Sequence, residues 1–370
     1  MASRRLRRLQ HGTAAALAAA TIGLGMFTAP PAAANASGSG SEPSSVVTEQ
    51  ATSAPGQIRD FWTPERVRAA LANPLDTPAT GPTPVYPKSG TTSGPEIQTV
   101  SADAVPPKDA STGSTRTEDV ATTASAPTVS RSVRVANELA WPYRATGKLI
   151  FDTPKGGANC SASVIVSNTK NAVWTAAHCL HSGKGGAFYK NFLFLPGYNG
   201  LAPYHWWEQD RVMVPTNWVN YGDLDSSDMG ALIVKKDLAL GNLQDLVGGY
   251  GYNFSDGPEH TDVHSFGYPA DGYNRPDSDF NNGEYMMYCR GNTVDGGPWN
   301  LLDERLRMNC DMGHGSSGGP MVTGVAAGNI QIVGVNSHRH VDSNGNWSDN
   351  YLFSSEHASE ARSLIYKINS

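Results

Sequence analysis

The sequence predicts an all-β domain finished by one C-terminal helix, and three observations carry that prediction. Short apolar runs rich in β-branched and aromatic residues recur: Leu149-Ile150-Phe151, Ala162-Ser163-Val164-Ile165-Val166, Ala172-Val173-Trp174, Phe192-Leu193-Phe194-Leu195, Ala231-Leu232-Ile233-Val234 and Ile330-Gln331-Ile332-Val333-Gly334-Val335. Clusters of Gly, Asn, Asp and Pro separate them, which is the punctuation of strands and turns. Residues 355–368 depart from this pattern, with Ala358, Ala361, Leu364, Ile365 and Ile368 at helical spacing.

The chain opens on Arg4, Arg5, Arg7 and Arg8, followed by an Ala-rich apolar run over residues 13–29. A basic head, a short apolar middle and small residues at the exit form a secretory signal peptide, expected over residues 1–36 with a cut near Ala34 or Ala36. The run is too short to span a membrane, so an extracellular protein without membrane contact after signal removal is expected. Residues 37–130 shift to Ser, Thr, Ala, Pro and Gly. Such a segment buries too little surface to offset its ordering entropy and is expected to be mostly disordered. One island interrupts it near residues 63–72. Thr63 caps a helix with Pro64 at its first position, Asn73-Pro74 stops it, and Trp62, Val67 and Leu71 share one side. The island reads either as a propeptide element that docks in cis or as a small unattached helix.

Residues 131–370 suffice for one large all-β unit or two small barrels. All four cysteines fall here, at 160, 179, 289 and 310. An even count in a secreted chain reads as disulfides, with three pairings open. Scattered cysteines without close ligand pairs argue against zinc. The net charge is -6, with no basic face, which excludes nucleic acid as a partner.

Chemistry concentrates in Gly315-Ser316-Ser317-Gly318-Gly319-Pro320. A serine hydroxyl is a poor nucleophile and needs a base beside it and donors where an oxyanion forms. Flanking glycines let the backbone turn tightly and bring its own N–H groups close. Upstream lie Val173-Trp174-Thr175-Ala176-Ala177-His178-Cys179 and Asp228-Met229-Gly230-Ala231-Leu232-Ile233-Val234. His, then Asp, then Ser is one of the orders in which a serine triad occurs.

These three blocks resemble the trypsin/chymotrypsin family of serine endopeptidases, and more closely its secreted bacterial branch of glutamyl endopeptidase-like or trypsin-like, actinomycete type, from about residue 135 onward. The resemblance implies a chymotrypsin-like double six-stranded β-barrel, roughly residues 140–245 and 246–370, with the C-terminal helix on the second barrel. It implies the disulfide Cys160–Cys179; with it Cys289–Cys310 is expected, bracing the segment that leads to the nucleophile. It assigns His178 as general base and Ser317 as nucleophile, with the N–H groups of Gly315 and Ser317 as oxyanion hole. Asp228 is the acid, preferred over Asp223 and Asp225 because an apolar strand follows it. Ser316 stands where animal digestive members keep an aspartate that pairs with a new amino terminus. A propeptide that blocks the cleft or assists folding is therefore expected instead, with the mature start between residues 127 and 137.

Specificity is read from the same resemblance. Asp311 lies six residues before Ser317, where trypsin-like members keep the acid that binds Lys or Arg, yet acidic and broad preferences stay open. Asn336 falls where glutamate-specific members carry a histidine; Ser337, His338 and Asp349 complete the expected substrate-binding set. The expectation is a secreted monomeric preproenzyme acting on polypeptides without metal or cofactor. A noncatalytic binding protein on this fold, or an esterase using the same triad, are the rivals. His338-Arg339-His340 lacks a third matched metal ligand, and the Asp/Asn/Gly loop at 271–283 lacks the ordered spacing of calcium loops.

Overall fold

The computed structural model describes residues 45–75, 79–80, 101–109, 127–254, 257–297 and 305–370; the expected signal peptide lies outside the described residues. The first stretch contributes β1 (Val46–Gln50), α1 (Gln57–Phe61), α2 (Pro64–Leu71), β2 (Ala79–Thr80) and β3 (Ser101–Ala102). Thr63 caps α2, its hydroxyl accepting the Arg66 N–H, and Pro64 occupies the first helical position, where its missing N–H costs nothing. Ile58, Trp62, Val67 and Ala70 are buried. The Trp62 indole donates to the Asn191 carbonyl at 2.6 Å, and Arg59 pairs with Glu208 at 2.7 Å. Composition hides this order because the surfaces that bury these few large side chains lie far downstream, on the strands Gly156–Val164, Lys190–Pro196 and Trp207–Pro215.

A strand leading into the main domain, β4 (Val129–Arg134), is followed by β5 (Thr146–Thr153), β6 (Gly156–Val164), β7 (Ala172–Thr175), β8 (Lys190–Pro196), β9 (Trp207–Pro215), α3 (Thr216–Tyr221) and β10 (Gly230–Val234). Six of these strands close a barrel in the order β9-β10-β7-β6-β5-β8, with β8 returning to β9. The β8–β9 pairing is short, and the rest of the β9 edge is covered by β1. Register shifts at Ile150/Asp152 and Ile233/Val234 supply the bulges that bend β5 and β10 around. Leu149, Phe151, Val164, Val173, Leu193, Val212 and Leu232 are fully buried in it, each such side chain contributing about 1.5–3 kcal/mol through its removal from water. β1 adds an extra antiparallel strand along β9.

The C-terminal half comprises α4 (Leu243–Val247), β11 (Gly251–Asn253), β12 (Val263–Gly267), β13 (Met287–Gly291), β14 (Val294–Asp295), β15 (Leu306–Asn309), β16 (Pro320–Thr323), β17 (Gln331–Val335), β18 (Arg339–His340), β19 (Tyr351–Ser354) and α5 (Ser359–Asn369). The double six-stranded barrel expected from the family resemblance is not what forms: one barrel closes, and this half consists of open sheets. A seven-stranded sheet runs β3-β11-β17-β16-β12-β13-β4, and β14-β15-β19 form a separate three-stranded sheet. The ladder is interrupted after β17. There the Ser354 hydroxyl takes the Val335 N–H at 2.9 Å, and only an isolated bridge, His338 with Phe353, joins the chain to β19. β13 and β15 are joined by the Cys289–Cys310 disulfide, with Cα atoms 5.6 Å apart, and not by strand pairing.

The terminal helix has the predicted face, Ala361, Leu364, Ile365 and Ile368 being buried. Its main contacts, however, are with β9 and β10 of the closed barrel and with β1, alongside a hydrogen bond from Arg362 to the Phe254 carbonyl at 3.4 Å. The Asn217 amide fixes it there, donating to Glu360 at 2.6 Å.

Candidate active site

β7 ends at Thr175, and a single 3-10 turn then carries His178 and Cys179. The Cys160–Cys179 disulfide, Cα atoms 6.2 Å apart, anchors that turn to β6. Asp228 immediately precedes β10 and is fully buried. Its carboxylate accepts the His178 backbone N–H at Oδ1 and the His178 ring Nδ1 at Oδ2, both at 2.8 Å. The Ser337 hydroxyl donates to Oδ2 at 2.5 Å, and the Asp228 N–H is held by Ser355 Oγ at 3.0 Å. Burial opposes ionisation of Asp228, but the adjacent His178 and these hydrogen bonds prevail and hold its carboxyl below the usual range. With Nδ1 bound to Asp228, His178 Nε2 is buried and has no hydrogen-bond partner among the described residues.

The serine loop is pressed against the same wall. The Ser161 N–H donates to the Ser317 carbonyl at 2.8 Å, and Ser161 Oγ donates to the Gly315 carbonyl at 2.8 Å while accepting the Tyr268 N–H at 2.9 Å. Ser161 adjoins Cys160, so the residue that holds the loop neighbours the disulfide that holds His178. Thr175 Oγ1 donates to the Ser161 carbonyl at 2.9 Å. Gly318 has φ +78°, and a Cβ there would collide with Thr175 Oγ1 and the Ser161 carbonyl. Only glycine permits this close approach. Within the loop the N–H groups of Ser316, Gly318 and Gly319 donate to the carbonyls of Gly313, Asn336 and Ser316. Gly315, at φ +89°, is the second left-handed position.

The structure sorts the remaining sequence-predicted residues. Ser316 closes its own turn, its hydroxyl donating to the Gly313 carbonyl at 2.7 Å. Asp223 is occupied within its turn by the N–H groups of Asp225 and Ser226, and Asp225 pairs with Arg305 at 3.1 Å. Asp311 is buried. Its Oδ1 accepts the Ser132 N–H at 2.8 Å and its Oδ2 accepts Arg275 at 3.0 Å. Asn336 spends its amide on the carbonyls of Phe266 and Ser316 and on the Ser265 hydroxyl, so it braces the loop. Ser337 and His338 turn toward Asp228, whereas Asp349 caps the Tyr351 N–H at 2.9 Å and offers its carbonyl to Arg339 at 2.9 Å. Arg339 is itself buried, and burial lowers its guanidinium to about 10. Two clusters of metal-ligand residue types are present among the described residues, at Cys160-His178-Cys179 and Cys289-Cys310-Asp311, but their sulfurs are committed to the two disulfides.

Sequence reasoning missed Ser161, Thr175, Ser355, Arg275 and Arg305. Each lies in an ordinary strand or loop context, and its role arises only from a partner distant in the chain.

No protein-family model matches the chain, and no curated protein matches it. Solved structures do. The protease Anisep from Arthrobacter nicotinovorans is 29% identical with a TM-score of 0.53, the match covering 61% of this chain and 95% of that one. A thermostable serine protease, AL20, from an extremophilic microorganism is 27% identical with a TM-score of 0.52, covering 61% and 97%. The chain therefore has the fold of the chymotrypsin/trypsin-like serine-protease superfamily, as found in bacterial homologues, and that fold is consistent with peptide-bond hydrolysis. Among the described residues no helix is long and apolar enough to cross a membrane.

Proposed function

We propose that this chain is a secreted bacterial serine endopeptidase of the actinomycete type, made as a preproenzyme, which cleaves polypeptides through an acyl-enzyme on Ser317. The observation that carries this reading is the His178–Asp228 pair. One carboxylate takes both the backbone and ring donors of the histidine, leaving a buried, unpartnered Nε2 on the wall where the serine loop is anchored. In that arrangement Nε2 accepts the Ser317 proton during attack and returns it to the leaving amine, while Asp228 stabilises the imidazolium. The N–H groups of Gly315 and Ser317 receive the oxyanion, a role in which loss of one donor costs about 2.7–4 kcal/mol. No cofactor enters these steps.

The preproenzyme part of the reading assigns residues 1–36 to a signal peptide, 37–130 to a propeptide and 131–370 to the peptidase. Its support is the path of the segment. The Leu75 N–H donates to the Asn159 carbonyl at 2.9 Å, and the Asn159 N–H donates to Asn73 at 3.1 Å, beside the Cys160–Cys179 wall. A Cβ on Gly315 would lie 3.3 Å from Pro74 Cβ. β2 then pairs in parallel with β18, Ala79 opposite Arg339 and Thr80 opposite His340. A substrate must direct its leaving amine toward His178, so its chain runs from the Arg339–His340 side to the disulfide wall. The propeptide runs the other way. Its described residues 73–75 and 79–80 therefore follow the substrate path in the non-reacting direction.

Asp311, saturated by Arg275 and Ser132, does not support a Lys/Arg pocket. The test is mass-spectrometric mapping of every bond the processed protein cuts in a denatured protein mixture, with Ser317→Ala as control. Cleavage that vanishes in the control is the expected result; an intact mixture after correct processing would overturn the peptidase reading.

A further inference from the structure

Behind the His178–Asp228 pair lies a buried row of polar side chains that the proposed mechanism does not use. Ser337 Oγ is 2.5 Å from Asp228 Oδ2 and 2.9 Å from His338 Nδ1, and His338 Nε2 is 3.3 Å from Arg305 Nη1. His338 is fully buried and lies parallel to the Phe353 ring, centroids 5.1 Å apart. The two ends of the row are chemically one-directional, since a guanidinium only donates and an ionised carboxylate only accepts. A hydroxyl has a single hydrogen. With that hydrogen on the bond to Asp228, Ser337 can only accept from His338, so Nδ1 carries the ring proton. Nε2 then offers its lone pair to Arg305. The opposite tautomer would set the Nε2 hydrogen against the guanidinium and leave Nδ1 and the carboxylate competing for one hydroxyl proton.

We propose that His338 is a positioning residue for the catalytic pair: fixed as the Nδ1–H tautomer by Arg305, it commits the Ser337 hydroxyl to Asp228 Oδ2. This proposal rests on the triad reading above. The consequence is an oriented carboxylate, with Oδ2 held by Ser337 and the His178 ring while Oδ1 takes the His178 backbone. The groups facing His338 keep it from taking a second proton. Burial and then Arg305, itself paired with Asp225 at 3.1 Å, push its basicity well below the usual imidazole range; Asp228 opposes this, while His340 and His178 add to it. His338 therefore keeps a constant charge beside the catalytic pair.

The test has two arms on the full-length protein. In ¹⁵N-histidine NMR of Ser317→Ala, one imidazole is expected with Nδ1 protonated and Nε2 bare, unchanged from about pH 5 to 8, where free histidine titrates. Its signal disappears in His338→Asn. In peptide cleavage, His338→Phe lowers kcat about 3- to 10-fold with KM unchanged, the range expected for one lost hydrogen bond. His338→Asn, whose amide reaches toward Ser337, restores kcat to within about 2-fold, and His338→Phe adds nothing once Ser337→Ala is present, as coupled residues require. A titrating or Nε2-protonated His338, or a His338→Phe loss that adds fully to Ser337→Ala, overturns the proposal. Absence of cleavage by the unmutated enzyme would count against the triad reading, and the NMR arm would still decide the relay.

Discussion

In the N-terminal half β8 returns to β9 and the six barrel strands close on themselves; in the C-terminal half β17 stops at Val335 and side chains carry on where the ladder ends. The first half holds His178 and Asp228 on short, fully buried segments tied by a disulfide. The second contributes the serine loop and the residues behind Asp228, all at or near the interruption. A closed ladder commits its backbone donors and acceptors to itself. At the interruption Ser337 and His338 pair their backbones with Phe353 and turn their side chains toward Asp228, while Ser354 Oγ takes the Val335 N–H. The segments bearing His178 and the serine loop are thus held by two different solutions to the same edge problem.

The largest effect should come from separating the halves chemically. Ser317→Ala and His178→Ala should each reduce kcat by about 10⁶-fold, as for residues that act as one unit, and the double variant should be no worse than either single one. Additive losses in single-turnover kinetics would mean that the two do not work together. Next in size is the seam itself. Gly318→Ala forces a side chain into Thr175 and the Ser161 carbonyl at a left-handed backbone position. Displacing the loop by about 1 Å should cost on the order of 100-fold in kcat/KM, with strain of about 1–3 kcal/mol in the unfolding free energy. Retained activity would show that Ser317 is not positioned by this contact.

The two disulfides sharpen the same comparison at smaller scale. They close loops of similar length, separated by 19 and 21 residues, so chain entropy predicts a similar loss of about 3 kcal/mol for removing either pair. Their kinetic effects should differ. Replacing Cys160 and Cys179 by Ala loosens the turn bearing His178 and should lower kcat about 10-fold or more at temperatures where the protein remains folded. Replacing Cys289 and Cys310 should affect stability more than kcat. Equal kinetic losses would put the second disulfide in the site as well.

The features legible in sequence were those written in a short stretch of chain. Thr63-Pro64 marks the start of α2, the spacing of Ala361, Leu364, Ile365 and Ile368 marks the buried face of α5, and three local blocks mark the residues that the structure sets around one wall. What the spacing of α5 does not contain is its main partner, which is β9 and β10 of the closed barrel. The second barrel failed for a related reason. Apolar runs announce strands, but closure depends on which ladders are completed, and two are not: Ser354 Oγ takes the Val335 N–H after β17, and a disulfide takes the place of strand pairing between β13 and β15. Asp311 shows the same limit for function. Its offset from Ser317 suggests a pocket acid, while Arg275, which occupies it, lies 36 residues away with no local pattern to signal the pairing.

The smallest predicted effect tests whether the helix docked on the closed barrel is electrically independent of the site. Glu360 on α5 is buried against Asn217, and burial, then Asp223, raises its carboxyl from 4.5 to about 8. The folded protein therefore binds a proton that the unfolded chain releases. This contribution to stability is fully present below the unfolded value near 4.5 and is lost as pH rises through about 8. Asp228 has the opposite sign, its contribution being present above the unfolded range and lost on acidification. Its fall at low pH should persist when Glu360 is replaced. Denaturant unfolding between about pH 5 and 8 should therefore show Glu360→Gln flattening a loss on the order of 1–3 kcal/mol, with kcat/KM unchanged within about 2-fold. A Glu360→Gln curve parallel to the unmutated one would show that the carboxyl is not held protonated. A change in kcat/KM would instead couple α5 to the catalytic wall, in conflict with the separation of roles between the two halves.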